Sequence, residues 1–207
     1  MATRRTRLEG WPIVFVAAVA LLAMCALVLI AYGTQEAGAR AVIRSTARSS
    51  LVLFLAAFVA SSARRLWKSE ATAWLLRNRR QIGVSFAASH GLHLAGIVAL
   101  ATKSPESFWS QTSAVTLYGG GLGFLFVAAL AATSSDAAVR WLGQPRWKLL
   151  HRVGVWYLFG IFLLNYGPAF LVKPSYLPAS LGVFTALGLR VAAWRRGRDR
   201  LSRSPLP

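Results

Sequence analysis

An all-α bundle of six membrane-spanning helices is the fold class this sequence predicts, and three observations predict it. Hydrophobic residues make up 56% of the 207-residue chain and charged residues only 14%, with a mean hydropathy of +0.50. That leaves too little polar surface to coat a soluble globule of this size. The apolar residues gather into six stretches, 11–32, 49–63, 82–102, 115–133, 149–170 and 177–194. With six spans and the N-terminus inside, every Lys and Arg except Arg40, Arg44, Arg48, Lys103 and Lys173 falls on the inner side. Such a bias marks the cytoplasmic face of a membrane protein, so both termini are expected in the cytoplasm.

About 20 residues cross a hydrocarbon core, which makes the 15-residue second stretch marginal. The charges argue that it crosses: otherwise the basic C-terminal tail and the basic loop 64–80 would lie on opposite sides. A net charge of +18 would suggest nucleic acid in a soluble chain. Gathered beside membrane spans, the charges instead point to anionic lipid and exclude a nucleic-acid partner.

The elements follow in order. Residues 1–9 form a basic lead-in, with Arg4, Arg5 and Arg7, and Trp11 and Tyr32 anchor the two ends of the first span. Cys25, the only cysteine, lies mid-span, so no disulfide or thiolate metal site is expected. Arg40, Arg44 and Arg48 repeat every four residues and share one helical face, predicting an interfacial helix with a headgroup-facing side before the second span. Arg64, Arg65, Trp67 and Lys68 fix that span's inner end. The segment through Trp74 to Arg77 predicts a helix lying on the inner surface. The glycines of 119–123 predict close helix packing or room for a flat cofactor; they lack the strand and the Lys-Ser/Thr ending of a phosphate loop. Ser135 or Asp136 caps a short helix that Gly143 ends. Pro168, Pro174 and Pro178 break the last outer loop, and the sixth span runs into a basic tail, 195–207. The chain reads as one transmembrane domain over 1–207, with no repeat and no dinucleotide-binding fingerprint.

Chemistry concentrates in His90, His93 and His151, which lie in or beside the third and fifth spans. Ionisable groups in hydrocarbon are costly and usually hold a ligand, a proton path or a cofactor. A zinc site wants further Cys, Asp or Glu ligands, and a relay usually recruits a carboxylate; the spans offer neither. Neutral imidazole is the usual axial ligand of membrane b-type haem.

The run Leu76-Arg77-Asn78-Arg79-Arg80-Gln81-Ile82-Gly83 with His93, then Thr133-Ser134-Ser135-Asp136-Ala137 with Leu142-Gly143, then Trp147-Lys148-Leu149-Leu150-His151-Arg152, resembles the ferric reductase-like transmembrane family over about 44–166. Within it the likeness is closest to the haem-binding membrane subunits of bacterial periplasmic methionine sulfoxide reductase systems. The resemblance implies a six-helix bundle in the bacterial inner membrane that holds haem b by histidines of the third and fifth spans. It implies electrons passing from a cytoplasmic reductase or quinol to a periplasmic oxidoreductase, with FMN or a quinone as further candidate cofactors. His93 and His151 match family haem histidines, whereas His90 has no counterpart. The family's second histidine on the fifth span, thirteen residues after the first, is here Leu164.

Depth makes that departure matter. His93 lies 13 residues beyond Arg80, roughly 20 Å, while His151 lies 3 beyond Lys148, roughly 5 Å. Three arrangements stay open: shifted spans that pair His90 or His93 with His151, a haem with His93 as its one protein ligand, or loss of haem. The expected function is therefore a haem b electron-transfer subunit. The alternative is a non-catalytic scaffold that kept the fold; small-solute transport is weaker, since no span is broken and no acid lies at mid-depth.

Overall fold

A computed structural model describes residues 8–202, with side chains to residue 199; Arg4, Arg5, Arg7 and Arg203 lie outside the described residues. Among the described residues, ten α-helices follow in order: α1 (Trp11–Tyr32), α2 (Glu36–Leu66), α3 (Glu70–Arg77), α4 (Arg79–Lys103), α5 (Pro105–Trp109), α6 (Ala114–Ala132), α7 (Asp136–Leu142), α8 (Gln144–Tyr166), α9 (Ala169–Val172) and α10 (Leu177–Ser202). Six of the helical stretches are long and apolar enough to cross a membrane.

The second span differs most from expectation. Residues 36–48, expected as an interfacial helix leading into the second span, run without a break into it as α2, a helix of 31 residues. At about 1.5 Å per residue it is roughly 46 Å long, more than a hydrocarbon core needs. Its first turns are held by polar contacts rather than lipid. Arg40 donates to Glu36 Oε1 at 2.8 Å and to Ser107 Oγ at 2.5 Å, and Ser107 Oγ donates to the same Glu36 oxygen at 2.6 Å. Arg44 and Arg48 are exposed, as the shared face predicts.

Local sequence sets the other boundaries. Ser69 and Thr72 form a reciprocal capping box at the start of α3. Ser135 Oγ accepts from the Ala138 N–H at 3.0 Å and so caps α7. Gly143, at φ +76°, ends that helix in a conformation that favours glycine, and Pro145 sits in the first turn of α8, where its missing N–H costs nothing. At the hairpin from α1 to α2, a Cβ on Gly38 would lie 1.7 Å from the Gly33 carbonyl oxygen, so only glycine fits.

The bundle is organised around α2, which packs most extensively on α4 and also against α1, α3 and α10. Helix α6 rests mainly on α8. The core is aromatic: Phe54, Phe58, Phe86, Phe159 and Phe162 are all buried and mutually stacked or tilted. The two ends are tied by polar bonds. At the basic end, Arg80 pairs with Asp136 and Arg77 with Glu9, each at 2.9 Å. There the buried Asn78 side chain also accepts from the Gly10 N–H at 2.8 Å. At the far end, Lys103 Nζ donates to the Thr34 carbonyl. Exposed Trp11, Trp67, Trp141 and Trp194 ring the basic end, and Tyr32, Trp109 and Tyr118 the other, the two aromatic belts of a spanning protein.

Candidate functional site

The first site is built on the α2–α4 seam. Small residues on α4 let the helices touch: a Cβ on Gly96 would meet Ile43 and Val42 side chains at 3.1 and 3.2 Å. Ser85 and Ser89 are fully buried. Ser50 Oγ donates to Ser89 Oγ at 3.0 Å, which in turn donates to the Thr46 carbonyl at 3.3 Å. Thr46, also fully buried, places its hydroxyl 2.6 Å from the Val42 carbonyl, as helical Thr commonly does. Its one proton is thereby committed.

That commitment bears on the state of His93. His93 Nδ1 lies 3.0 Å from the Ile43 carbonyl and 3.2 Å from Thr46 Oγ1. A carbonyl only accepts, and the hydroxyl proton is spent, which favours a hydrogen on Nδ1. Nε2 is then left with its lone pair, the form in which an imidazole ligates a metal. His90, one turn nearer the basic end, stacks on His93 at 5.3 Å between centroids. It packs between Phe86 at 5.3 Å and Phe124 at 4.7 Å. Its Nδ1 is buried with no hydrogen-bond partner.

His151 stands in different surroundings. Its Nε2 lies 3.0 Å from Thr133 Oγ1, which is also 2.7 Å from the Ala129 carbonyl. Which of Nε2 and Oγ1 donates in that contact depends on the imidazole's tautomer. Trp147 stacks on the imidazole at 4.3 Å while its Nε1 donates to the Thr133 carbonyl at 2.9 Å. His151 borders a cavity of about 620 Å³ among α2, α4, α6, α8 and α10, within the usual size for a cofactor site. Phe54, Phe58, Phe86 and Leu158 form apolar walls; Arg79, Arg80, Arg152 and Arg190 bring cations, with Asp136 the one carboxylate in the lining. At Gly83 the wall is open, since a Cβ there would meet nothing within 4 Å. The Nε atoms of Arg80 and Arg190 are buried without hydrogen-bond partners.

The structure does not bring His93 and His151 together. On α6 the neighbours of the two, Phe124 and Thr133, are nine residues apart, about 13 Å of helix. On α8, His151 is eleven residues from Phe162, which faces His90, about 16 Å. Were His93 and His151 to hold one haem together, they would have to stand at the same depth, and these offsets along α6 and α8 argue against it. Of the three imidazoles, His151 lines the cavity, while His93 and His90 stand outside it against Phe124. Leu164, where the resemblance implies another histidine, is 73% exposed and points away from the bundle.

Some site residues escaped the sequence. Thr46 and Thr133 look like any helical threonine, and nothing in their spacing marks the imidazoles they orient. Arg190 carried a signal: it stands inside the last apolar run, ahead of the basic tail. Of the glycines in 119–123, Gly119 and Gly123 approach α8 at ordinary contact distance, while Gly120 and Gly121 face open space. The close packing expected of that run is met at Gly119 and Gly123.

No family model and no solved structure matches the chain. Curated relatives do. It is 30% identical over 196 residues to the protein-methionine-sulfoxide reductase heme-binding subunit MsrQ of Rhodospirillum rubrum, covering 88% of this chain and 91% of that one. It is 32% identical over 167 residues to the MsrQ of Ralstonia nicotianae, covering 76% and 74%. To the Bordetella parapertussis MsrQ it is 34% identical over 168 residues, covering 76% and 77%. With six membrane-spanning helices and relatives alike over most of their length, this multi-pass membrane chain belongs to the MsrQ family.

Proposed function

We propose that the chain is a haem-binding electron-transfer subunit of a methionine sulfoxide reductase system, with haem b ligated by His93. The observation that carries this reading is the Ile43 carbonyl 3.0 Å from His93 Nδ1, which favours a hydrogen on Nδ1 and leaves Nε2 as a ligand nitrogen in a relative of haem-binding subunits. Bound haem supplies a one-electron centre. The chain's own residues do the rest. The Ile43 carbonyl and Thr46 hydroxyl orient the imidazole, the α2–α4 seam locks their positions, and Phe124 and Phe86 exclude water from the His90–His93 stack.

The basic end is proposed to face the cytoplasm and the far end the periplasm, in the inner membrane, because the lysines and arginines collect on one side. Electrons then run from a cytoplasmic reductase or quinol to a periplasmic oxidoreductase. The cavity at His151 is the proposed place for a second flat redox group, such as FMN or a quinone. Its apolar walls accept a ring, and its arginines accept acidic substituents.

A reduced-minus-oxidised visible spectrum of purified protein, produced with ample haem, tests the assignment. A Soret band in the wild type that is lost in His93→Ala is expected. A wild type without the band would favour a scaffold that kept the fold and lost the cofactor, the reading that Leu164 and the separation of the histidines support.

A further inference from the structure

A second cleft, of about 460 Å³, lies between the basic ends of α2 and α10, with Trp156 of α8 as its third wall. Its polar lining is Ser61, Ser62, Arg65 and Arg190, and no carboxylate borders it. Arg190 is the unusual member. Its guanidinium rests on Phe58 at 4.3 Å and Trp156 at 5.3 Å, while its Nε is buried without a hydrogen-bond partner. It lies 13 residues, about 20 Å, from the far end of α10. A guanidinium stacked on ring faces at such depth, with its Nε unpartnered, is costly, so an anion supplied from outside the chain would stabilise it.

The surroundings say which anion. Trp156, Val191 and Trp194 at the cleft are 44%, 39% and 56% exposed on the outside of a membrane bundle. Trp194 sits beside the arginine-rich end of α10, the level at which tryptophans meet lipid headgroups. Hydroxyl and guanidinium groups are donors suited to oxygens that only accept. A hydroquinone would need a base to take its protons, and the lining holds no His, Asp or Glu. We propose that this cleft binds the phosphodiester headgroup of an anionic phospholipid, with Arg190 and Arg65 on the phosphate and the acyl chains lying along α2 and α10. Basic pockets between helices on the cytoplasmic side are a recurring form of lipid recognition.

The test uses delipidated full-length protein in neutral detergent. Phosphatidylglycerol is expected to raise Tm by about 5 °C, phosphatidylcholine by far less, and native mass spectrometry is expected to retain phosphatidylglycerol on the wild type. Arg65→Gln is expected to remove most of the difference between the two lipids. Because Arg65 borders this cleft and not the cavity at His151, that variant should keep any haem spectrum, so the two assignments fail separately. Arg190→Gln should act in the same direction. Equal shifts from the two lipids, or an Arg65→Gln protein that still distinguishes them, would overturn the proposal. So would an equal shift from inorganic phosphate, which would mark a free-anion site.

Discussion

His93 Nδ1 sits 3.0 Å from the carbonyl oxygen of Ile43, a residue 50 positions earlier on another helix. This bond, seconded by Thr46 at 3.2 Å, favours one tautomer of the imidazole and with it one open nitrogen. Groups that orient a ligating histidine in this way typically change metal affinity by about 10- to 100-fold when removed. Thr46→Val, which keeps the shape and loses the acceptor, should therefore weaken haem retention about 10-fold, while Thr46→Ser should retain it. Haem titration followed at the Soret band measures both. In the haem-free protein, nitrogen NMR of labelled histidine should find Nε2 unprotonated at His93, and a protonated Nε2 there would refute the assignment.

His151→Ala should leave the haem ligated by His93 in place, because the α6 neighbours of the two imidazoles, Phe124 and Thr133, are about 13 Å apart along that helix. The check is the visible spectrum of the variant beside His93→Ala. Loss of the same band in both would mean that one ring does join them.

Restoring the missing family histidine should not restore a second axial ligand. Leu164 is 73% exposed, whereas its neighbours Phe162 and Tyr166 are the buried ones. Leu164→His should give the same haem spin state as the wild type by electron paramagnetic resonance, and a switch to a six-coordinate low-spin signal would contradict this orientation of α8.

Gly38→Ala should damage the α1–α2 hairpin, since the added methyl would lie 1.7 Å from the Gly33 carbonyl oxygen. No side chain can move aside for a backbone atom. A cost of about 3 kcal/mol is expected, read as a lower Tm. By contrast, Asp136→Asn should cost less than about 1 kcal/mol, because its 2.9 Å pair with Arg80 is largely exposed.

The sequence by itself determined which segments are helices that cross a membrane, because span length and flanking charge are dictated by the thickness of hydrocarbon and the cost of charge within it. It also marked Ser135 and Gly143 as helix boundaries, since caps are local chemistry. It underestimated α2, because Arg40, Arg44 and Arg48 interrupt the apolar run without interrupting the helix. The histidines were legible as residues out of place, and helix rise alone placed His93 and His151 at different depths.

Only the tertiary structure decided what surrounds each of them. Lipid is as apolar as a bundle core, so the hydrophobic pattern of a spanning helix scarcely distinguishes its inner face from its outer one. That Leu164 faces outward, that Thr46 and the Ile43 carbonyl meet His93, and that Arg190 turns toward two cavities are facts of helix rotation and neighbour choice. They follow from the packing of α2, α4, α8 and α10 on one another, at separations in the chain that no local signal spans.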